Sequence, residues 1–366
     1  MMTPRERVLA VLRGERPDRV PWFGDLDYWV GAMRSRGTLP ADYAGDGYFK
    51  LHRDLEVGFY LQGDFPWTET TPGETVEESR VGDRRLATRR NPAGVLHEES
   101  TWLPQSCTWA YTRRMVSGPQ DIPPLLWHVR HTEVTADYRA TQRRRDLVGD
   151  NGIVLSYLPR SPFMELVTTL CGLETLVFLL ADNPEETRGL LDAMTELADR
   201  QAAIALECPA ECLMIPENLS SEMIGTAYYR EHLRPYEARW ISRIRAAGKL
   251  SFIHMDGTLR GLLTDVAGTG FDVLEALTPA PSGDMTMADI ASTLPARTIA
   301  WGGLPGVMFT PLVSESAFER HVRETLEVMT ERPRCVLGVA DQVPPDGTWE
   351  RVRKVAALVE KYGALR

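Results

Sequence analysis

From residue 150 onward the chain alternates short apolar runs with longer stretches in which apolar residues recur every three or four positions. The runs are Ile153–Leu158, Cys212–Pro216, Leu250–His254, Phe271–Leu277, Thr298–Gly302 and Cys335–Ala340. The helix-period stretches fall at about 184–207, 227–247, 258–267, 286–293, 313–331 and 348–362. Runs without polar alternation suit strands buried on both faces, and amphipathic crossovers between them predict a parallel sheet clad in helices. Two earlier runs, 19–23 and 55–61, bring the expected strands to eight, the number that closes a (β/α)8 barrel. An open doubly wound sheet is the competing architecture, but no glycine-rich fingerprint follows any strand as a dinucleotide fold requires.

Thr3-Pro4-Arg5-Glu6 supplies a capping hydroxyl, a proline at the first helical position and a glutamate three residues after the cap. A helix is therefore expected from residue 4 until just before Gly14. Between there and residue 150 the text is irregular, and 74–102 shows short alternating segments broken at Gly82-Asp83 and Pro92-Ala93-Gly94, the pattern of β-hairpins. No internal repeat or low-complexity linker occurs. The expectation is one α/β domain over 1–366, a (β/α)8 TIM barrel with an N-terminal helical segment and a β-hairpin insertion at about 65–118.

Composition narrows the class without changing the architecture. The 366 residues are 43% apolar and 25% charged, as in ordinary globular proteins, and their number suits one large barrel. Forty-one basic residues against fifty-one acidic leave a charge of −10, which repels phosphate backbones and anionic lipid, so no nucleic-acid partner is expected. No run of 18 apolar residues occurs and the N-terminus is charged throughout, so neither membrane insertion nor export is expected, and the expected location is cytoplasmic. Five cysteines at irregular spacing read as reduced thiols, not a disulfide framework.

In a barrel of this kind the chemistry lies just past the carboxyl ends of the strands. That rule selects Asp25, Asp27, Tyr28 and Trp29 after the first strand, Asp64 after the second and Arg160 after the third. It selects Glu217 and Asn218 after the fourth, His254 and Asp256 after the fifth, Glu275 on the sixth and Asp341 after the last. Carboxylates crowded at one mouth repel each other unless a metal, a cationic substrate or raised pKa values relieve them. Alternate residues of a strand end point the same way, so His254 and Asp256 can present an imidazole nitrogen and a carboxylate to one metal ion. Asp341, Glu217 or Glu275 then completes the ligand shell. The alternative is a core-facing His254 hydrogen-bonded to Asp256, holding the turn at Gly257.

Glu217, with Asn218 beside it, is a candidate general acid or base; the alternative is a segment that simply caps the next helix. Glu275 in FDVLEALTP faces either inward or a helix, and Asp341 is either a ligand or the cap of the last helix. Asp25 and Asp64 are candidate catalytic acids. Tyr28 and Trp29 are candidate pocket walls, and Arg160 is a candidate for binding a substrate carboxylate. Cys212 and Cys335 open their strands, so they belong at the opposite rim of the barrel. No G-x-S-x-G elbow supports a serine hydrolase.

At several of these positions the chain resembles the uroporphyrinogen decarboxylase superfamily. The matching segments are the opening TPRERVLAVLRGERPDRVPW, Ala181–Glu186, the stretch from Pro216 through ENLSSEMIGTAYYREHLRPYEARWISRIRAAGKLSFIHMDG to Gly257, and Gly338–Pro345. They occur in order and span nearly the whole chain. The resemblance implies a (β/α)8 barrel, often dimeric, with its site at the C-terminal mouth. Decarboxylases of the superfamily carry Arg-Gln-Ala-Gly-Arg after the first strand, which binds an acidic tetrapyrrole without a cofactor. Here FGDLDYWVGAMRSRG stands in that place, lacks the cationic clamp and would repel a polycarboxylate.

The other branch, the zinc- and corrinoid-dependent methyltransferases, holds zinc with His-x-Cys and a later Cys. This chain has His254-x-Asp256 and, after Val339-Ala340, Asp341, a harder donor set. The resemblance thus implies a metal-assisted methyltransferase or O-demethylase. Zinc or another divalent metal at His254, Asp256 and Asp341 serves as Lewis acid, and the methyl group passes to or from a corrinoid on a separate protein. Two other readings stand beside it. One is a cofactor-free decarboxylase in which Asp25, Asp27 or Asp64 stabilises a cationic intermediate. The other is a non-catalytic barrel that binds a corrinoid or tetrapyrrole.

Overall fold

The computed structural model describes residues 2–60 and 64–365, which fall into two compact units. The first comprises Met1–Asp64, Tyr138–Tyr157 and Cys208–Arg366; the second comprises Phe65–Asp137 and Leu158–Glu207.

In the first unit seven parallel strands lie in the order Trp22–Phe23, Cys335–Ala340, Ile299–Pro305, Val273–Leu277, Leu250–Met255, Cys212–Leu219, Leu155–Tyr157. Residues 58 and 59 join the two ends. Gly58 bridges in parallel to Phe23, and Phe59 bridges in parallel to Gly152, just ahead of Leu155–Tyr157. The sheet therefore closes with eight staves, as the eight apolar runs predict. The first stave is only two residues long because Pro21 has no N–H for the ladder. The expected strand at 55–61 supplies only these bridges, and its last residue, Leu61, lies outside the described residues. Within this unit the staves alternate with helices, among them Arg234–Ala246, Leu263–Thr269, Met287–Thr293, Glu315–Glu331 and Trp349–Tyr362.

The barrel is filled by aromatic rings rather than by aliphatic layers alone. Trp301 stands at the centre, with its ring 4.7 Å from that of Tyr60, 5.3 Å from Phe23 and 5.6 Å from Phe252. Rings of this size leave no room for a side chain on the facing strands. A Cβ at Gly338 would stand 2.9 Å from Trp301 Cδ1, and one at Gly58 2.6 Å from the Phe23 ring. Burying each such ring contributes roughly 2–3 kcal/mol. The N-terminal helix Pro4–Arg13 begins with the expected reciprocal cap between Thr3 and Glu6, and it ends at Gly14 in the left-handed region, φ 80°.

The second unit is built around a four-stranded antiparallel meander, Thr75–Val81, Arg84–Asn91, Gly94–Leu103 and Thr108–Arg113. Its first two turns are Gly82-Asp83 and Pro92-Ala93, as the alternating segments predict. Every residue of Thr75–Val81 is exposed, while Leu96 turns to the interior that Val116, Leu125 and Val129 also line. A short pair, Trp67–Thr70 with Glu133–Ala136, and the helices Ile122–His131, Leu173–Asp182 and Pro184–Glu207 complete the unit. The insertion expected at 65–118 lies within it, and the unit continues beyond that range to Asp137 and through Leu158–Glu207.

Candidate active site

Three non-glycine residues at the carboxyl ends of barrel strands adopt the left-handed conformation: Asn218 at φ 59°, Ala276 at φ 60° and Asp341 at φ 64°. Each such residue costs on the order of 1–3 kcal/mol, and strain of this kind collects where geometry serves chemistry. At Ala276 the cause is visible: pairing with Ile299–Pro305 slips between Leu274 and Leu277, a bulge that re-aims the neighbouring side chain. Glu275 lies in register beside His254 on the adjoining strand, so both point the same way. Of the two orientations open to Glu275, the structure takes the inward one.

His254 and Glu275 form the centre of the site. His254 Nδ1 stands 2.6 Å from Glu275 Oε2, and Tyr60 donates its hydroxyl to Glu275 Oε1 at 2.8 Å. On the other edge of the ring, His254 Nε2 faces Asp341 Oδ1 at 3.7 Å. His254 is 6% exposed and Glu275 is fully buried. Burial alone pulls the imidazole down, but the charge and hydrogen bond of Glu275, with the charges of Asp341 and Asp256, outweigh it and lift the pKa to about 9. His254 is therefore an imidazolium at neutral pH.

Further carboxyls surround this cation. Asp25 is buried; the Asp27 amide donates to its Oδ1 at 2.8 Å, and its Oδ2 has no partner among the described residues. Burial pushes the Asp25 carboxyl well above the usual range against that hydrogen bond, and the charges of Asp27, Asp341 and Glu275 push the same way. Asp256 is raised by burial and by Asp341, while Asp341 is raised by burial and by Glu275 against the pull of His254. Burial and crowding thus make all three carboxyls harder to ionise than free ones. A cavity of about 390 Å³ opens on Asp256, Asp341, Tyr28, Thr278 and Gln342, and no basic side chain lines it among the described residues.

The three expected metal ligands, His254, Asp256 and Asp341, lie in one region, with His254 Nε2 3.7 Å from Asp341 Oδ1. Among the described residues no three His, Cys, Asp or Glu side chains are grouped to hold an ion.

Several expected site residues lie elsewhere. Glu217 is fully buried, at the end of its strand where the register with Leu250–Met255 slips. Its charge acts on Glu237 and Tyr229, on the helical side. Asn218 is an exposed residue of the irregular end of that strand. Asp64 is tied to Thr141 at 2.5 Å, Ser156 at 3.1 Å and Arg144 at 3.0 Å. Trp29 is a packing residue: its Nε1 donates to Gly347 O at 2.8 Å and its ring meets Trp349 edge to face at 4.7 Å. Arg160 belongs to the second unit and pairs with Glu165 at 3.3 Å.

His254 bonds to Glu275, not to Asp256 as the core-facing alternative supposes. Asp341 does not cap the last helix, whose N-cap position is Thr348. Tyr28 remains at the mouth cavity, where its amide donates to Gln342 Oε1 at 3.0 Å. Tyr60 is the participant that sequence reasoning passes over. The available signal is that it is the one hydroxyl-bearing residue of the apolar run LEVGFYL.

Comparison with known proteins follows the same lines. The uroporphyrinogen decarboxylase (URO-D) family profile matches residues 141–362, more than half of the chain. No curated protein matches it. Among solved structures, a methyltransferase from Methanosarcina mazei superposes with a TM-score of 0.62 over 99% of both chains at 15% identity. An N-acetylmannosamine-6-phosphate 2-epimerase from Clostridium perfringens covers 39% of this chain and 56% of its own at 14% identity, with a TM-score of 0.22 that carries no argument.

Proposed function

The chain belongs to the uroporphyrinogen decarboxylase family, and from that premise we propose that it is an enzyme of methyl transfer in which His254 is the general acid. The observation that carries the reading is the buried imidazole held 2.6 Å from Glu275 and 3.7 Å from Asp341, an environment that lifts its pKa to about 9. In the transfer, the bond between the methyl carbon and a substrate oxygen breaks, the electron pair stays on oxygen, and that oxygen takes the proton from His254 Nε2. The methyl group goes to a nucleophile outside this chain; a reduced corrinoid on a second protein, which the resemblance implies, has that chemistry. Asp341, with its side chain 41% exposed, links His254 to solvent and returns the proton. Glu275 and Tyr60 position the imidazole by holding Nδ1. The methyltransferase fold shared at a TM-score of 0.62 supports this reading. The absence of basic side chains from the cavity's lining among the described residues speaks against decarboxylation of a polyacidic tetrapyrrole there.

The test is consumption of cob(I)alamin, followed by its visible spectrum, with a panel of methoxy compounds. Wild type should turn over with a rate that falls as pH rises through about 9. His254→Gln should lower kcat/KM by about 10²–10⁴-fold, the usual worth of a general acid. Turnover unchanged in His254→Gln overturns the proposal. So does stoichiometric metal in the purified chain that His254→Ala removes, because a coordinated Nε2 has no proton to give.

A further inference from the structure

The second unit encloses a cavity of about 540 Å³ whose entire lining comes from that unit. This is the size of a small-molecule site. Its wall is apolar and aromatic, with Phe65 and Trp67 edge to face at 5.1 Å and the thioethers of Met115 and Met194 also lining it. The polar groups that reach it are almost all engaged within the protein. Glu69 accepts from Trp67 Nε1 at 2.7 Å and from Gln201 Nε2 at 2.5 Å. Arg160 pairs with Glu165 at 3.3 Å. Arg89 pairs at 3.1 Å with the buried Glu74, which also takes His128 at 2.9 Å. Glu98 differs: this half-buried carboxyl lines the cavity and has no hydrogen-bond or ion-pair partner among the described residues.

We propose that this cavity is a binding site for a small organic amine with an aromatic or branched apolar body, the ammonium on Glu98 and the body against Phe65, Trp67 and Met194. The arginines that reach the cavity already hold carboxylates, so an anionic ligand would have to break an ion pair to bind. A cationic ligand instead supplies the donor that Glu98 lacks. Burial, helped by Glu78, raises the Glu98 carboxyl although Arg89, Arg85 and Arg114 pull it down without bonding to it, so a direct donor has something to gain there. The faces of Trp67 and Phe65 add attraction for a positive charge. The inference stands on the second unit alone and is independent of the chemistry at His254.

Calorimetric titration of the full chain with 2-phenylethylamine, 2-phenylethanol and 3-phenylpropionate tests it. The amine should bind at least about tenfold more tightly than the alcohol, a difference of one charge-assisted hydrogen bond, and the carboxylate should bind least. Glu98→Gln should remove that tenfold advantage and leave the alcohol unchanged. Met194→Trp, which fills the cavity, should weaken amine and alcohol alike. No binding by wild type, tightest binding of the carboxylate, or equal amine affinity in Glu98→Gln overturns the proposal.

Discussion

Two buried pairs of ionisable side chains belong to the barrel: His254 and Glu275 on adjoining strands, and Glu217 at a strand end with Glu237 on the helix Arg234–Ala246. Inside, His254 and Glu275 are an acid and a base, hydrogen-bonded at 2.6 Å, and the imidazole is charged up to a pH of about 9. On the helical side, Glu217 and Glu237 are two acids. Glu237 accepts from the Tyr229 hydroxyl at 2.5 Å, and its Oε1 has no partner among the described residues. Burial pushes the Glu237 carboxyl well up and the charge of Glu217 adds to the push, against the Tyr229 hydrogen bond, so its ionisation is opposed. Both pairs have lost their water. The sign of the partner decides whether a charge is held or opposed.

The inner pair should be the costlier to break. Glu275→Gln removes the anion that offsets burial, so the His254 pKa should drop from about 9 to below its ordinary 6.5, read from the imidazole C2 proton by NMR. Because the folded-state value is raised, the stabilisation from this proton is fully present below pH 6.5 and is lost as pH rises through about 9. The variant should therefore be destabilised by about 3–5 kcal/mol near pH 6, the usual loss for a broken buried pair, and less above pH 9. An unmoved His254 titration would show that the inner pair is not electrostatic in origin.

The outer pair should respond in the opposite direction. A carboxyl with a raised folded-state pKa stabilises the protein only below its unfolded value near 4.5, and that stabilisation is lost as pH rises toward the folded value. Glu237→Gln, which carries its hydrogens permanently, should flatten this fall and gain about 1 kcal/mol over wild type in urea unfolding at pH 8, with no gain at pH 4. A loss at pH 8 would mean that Glu237 is ionised and paired. The smallest effect belongs to the meander of the second unit, where Arg85 and Glu78 pair at 2.8 Å with about half of each side chain exposed. Arg85→Ala should change stability by less than about 0.5 kcal/mol, because water already screens that pair.

Much of the architecture is legible because it rests on periodicity. Eight apolar runs separated by helix-period stretches admit few arrangements other than a closed parallel sheet, and Thr3, Pro4, Glu6 and Gly14 mark both ends of the first helix. The rule that chemistry follows strand ends also brings His254, Asp341, Asp256, Asp25 and Tyr28 to one region. It does not by itself orient Glu217, because the register slips between Ile215 and Leu219, and its charge acts on Glu237 and Tyr229 in the following helical segment. Glu275 was open between two orientations, and the left-handed bulge at Ala276 is not visible in an ordinary FDVLEALTP.

The amino-acid order by itself determined the barrel, its helical first turn and the hairpin turns of the meander, because those depend on neighbours within a few residues and on the burial of whole runs. Only the tertiary structure decided which ionisable groups meet. Tyr60 reaches Glu275 across 215 positions, Asp64 is taken by Thr141 across 77, and the protonation of His254 follows from a partner 21 residues away on another strand. Electrostatic energy depends on separation and desolvation in space, and neither is encoded in distance along the chain.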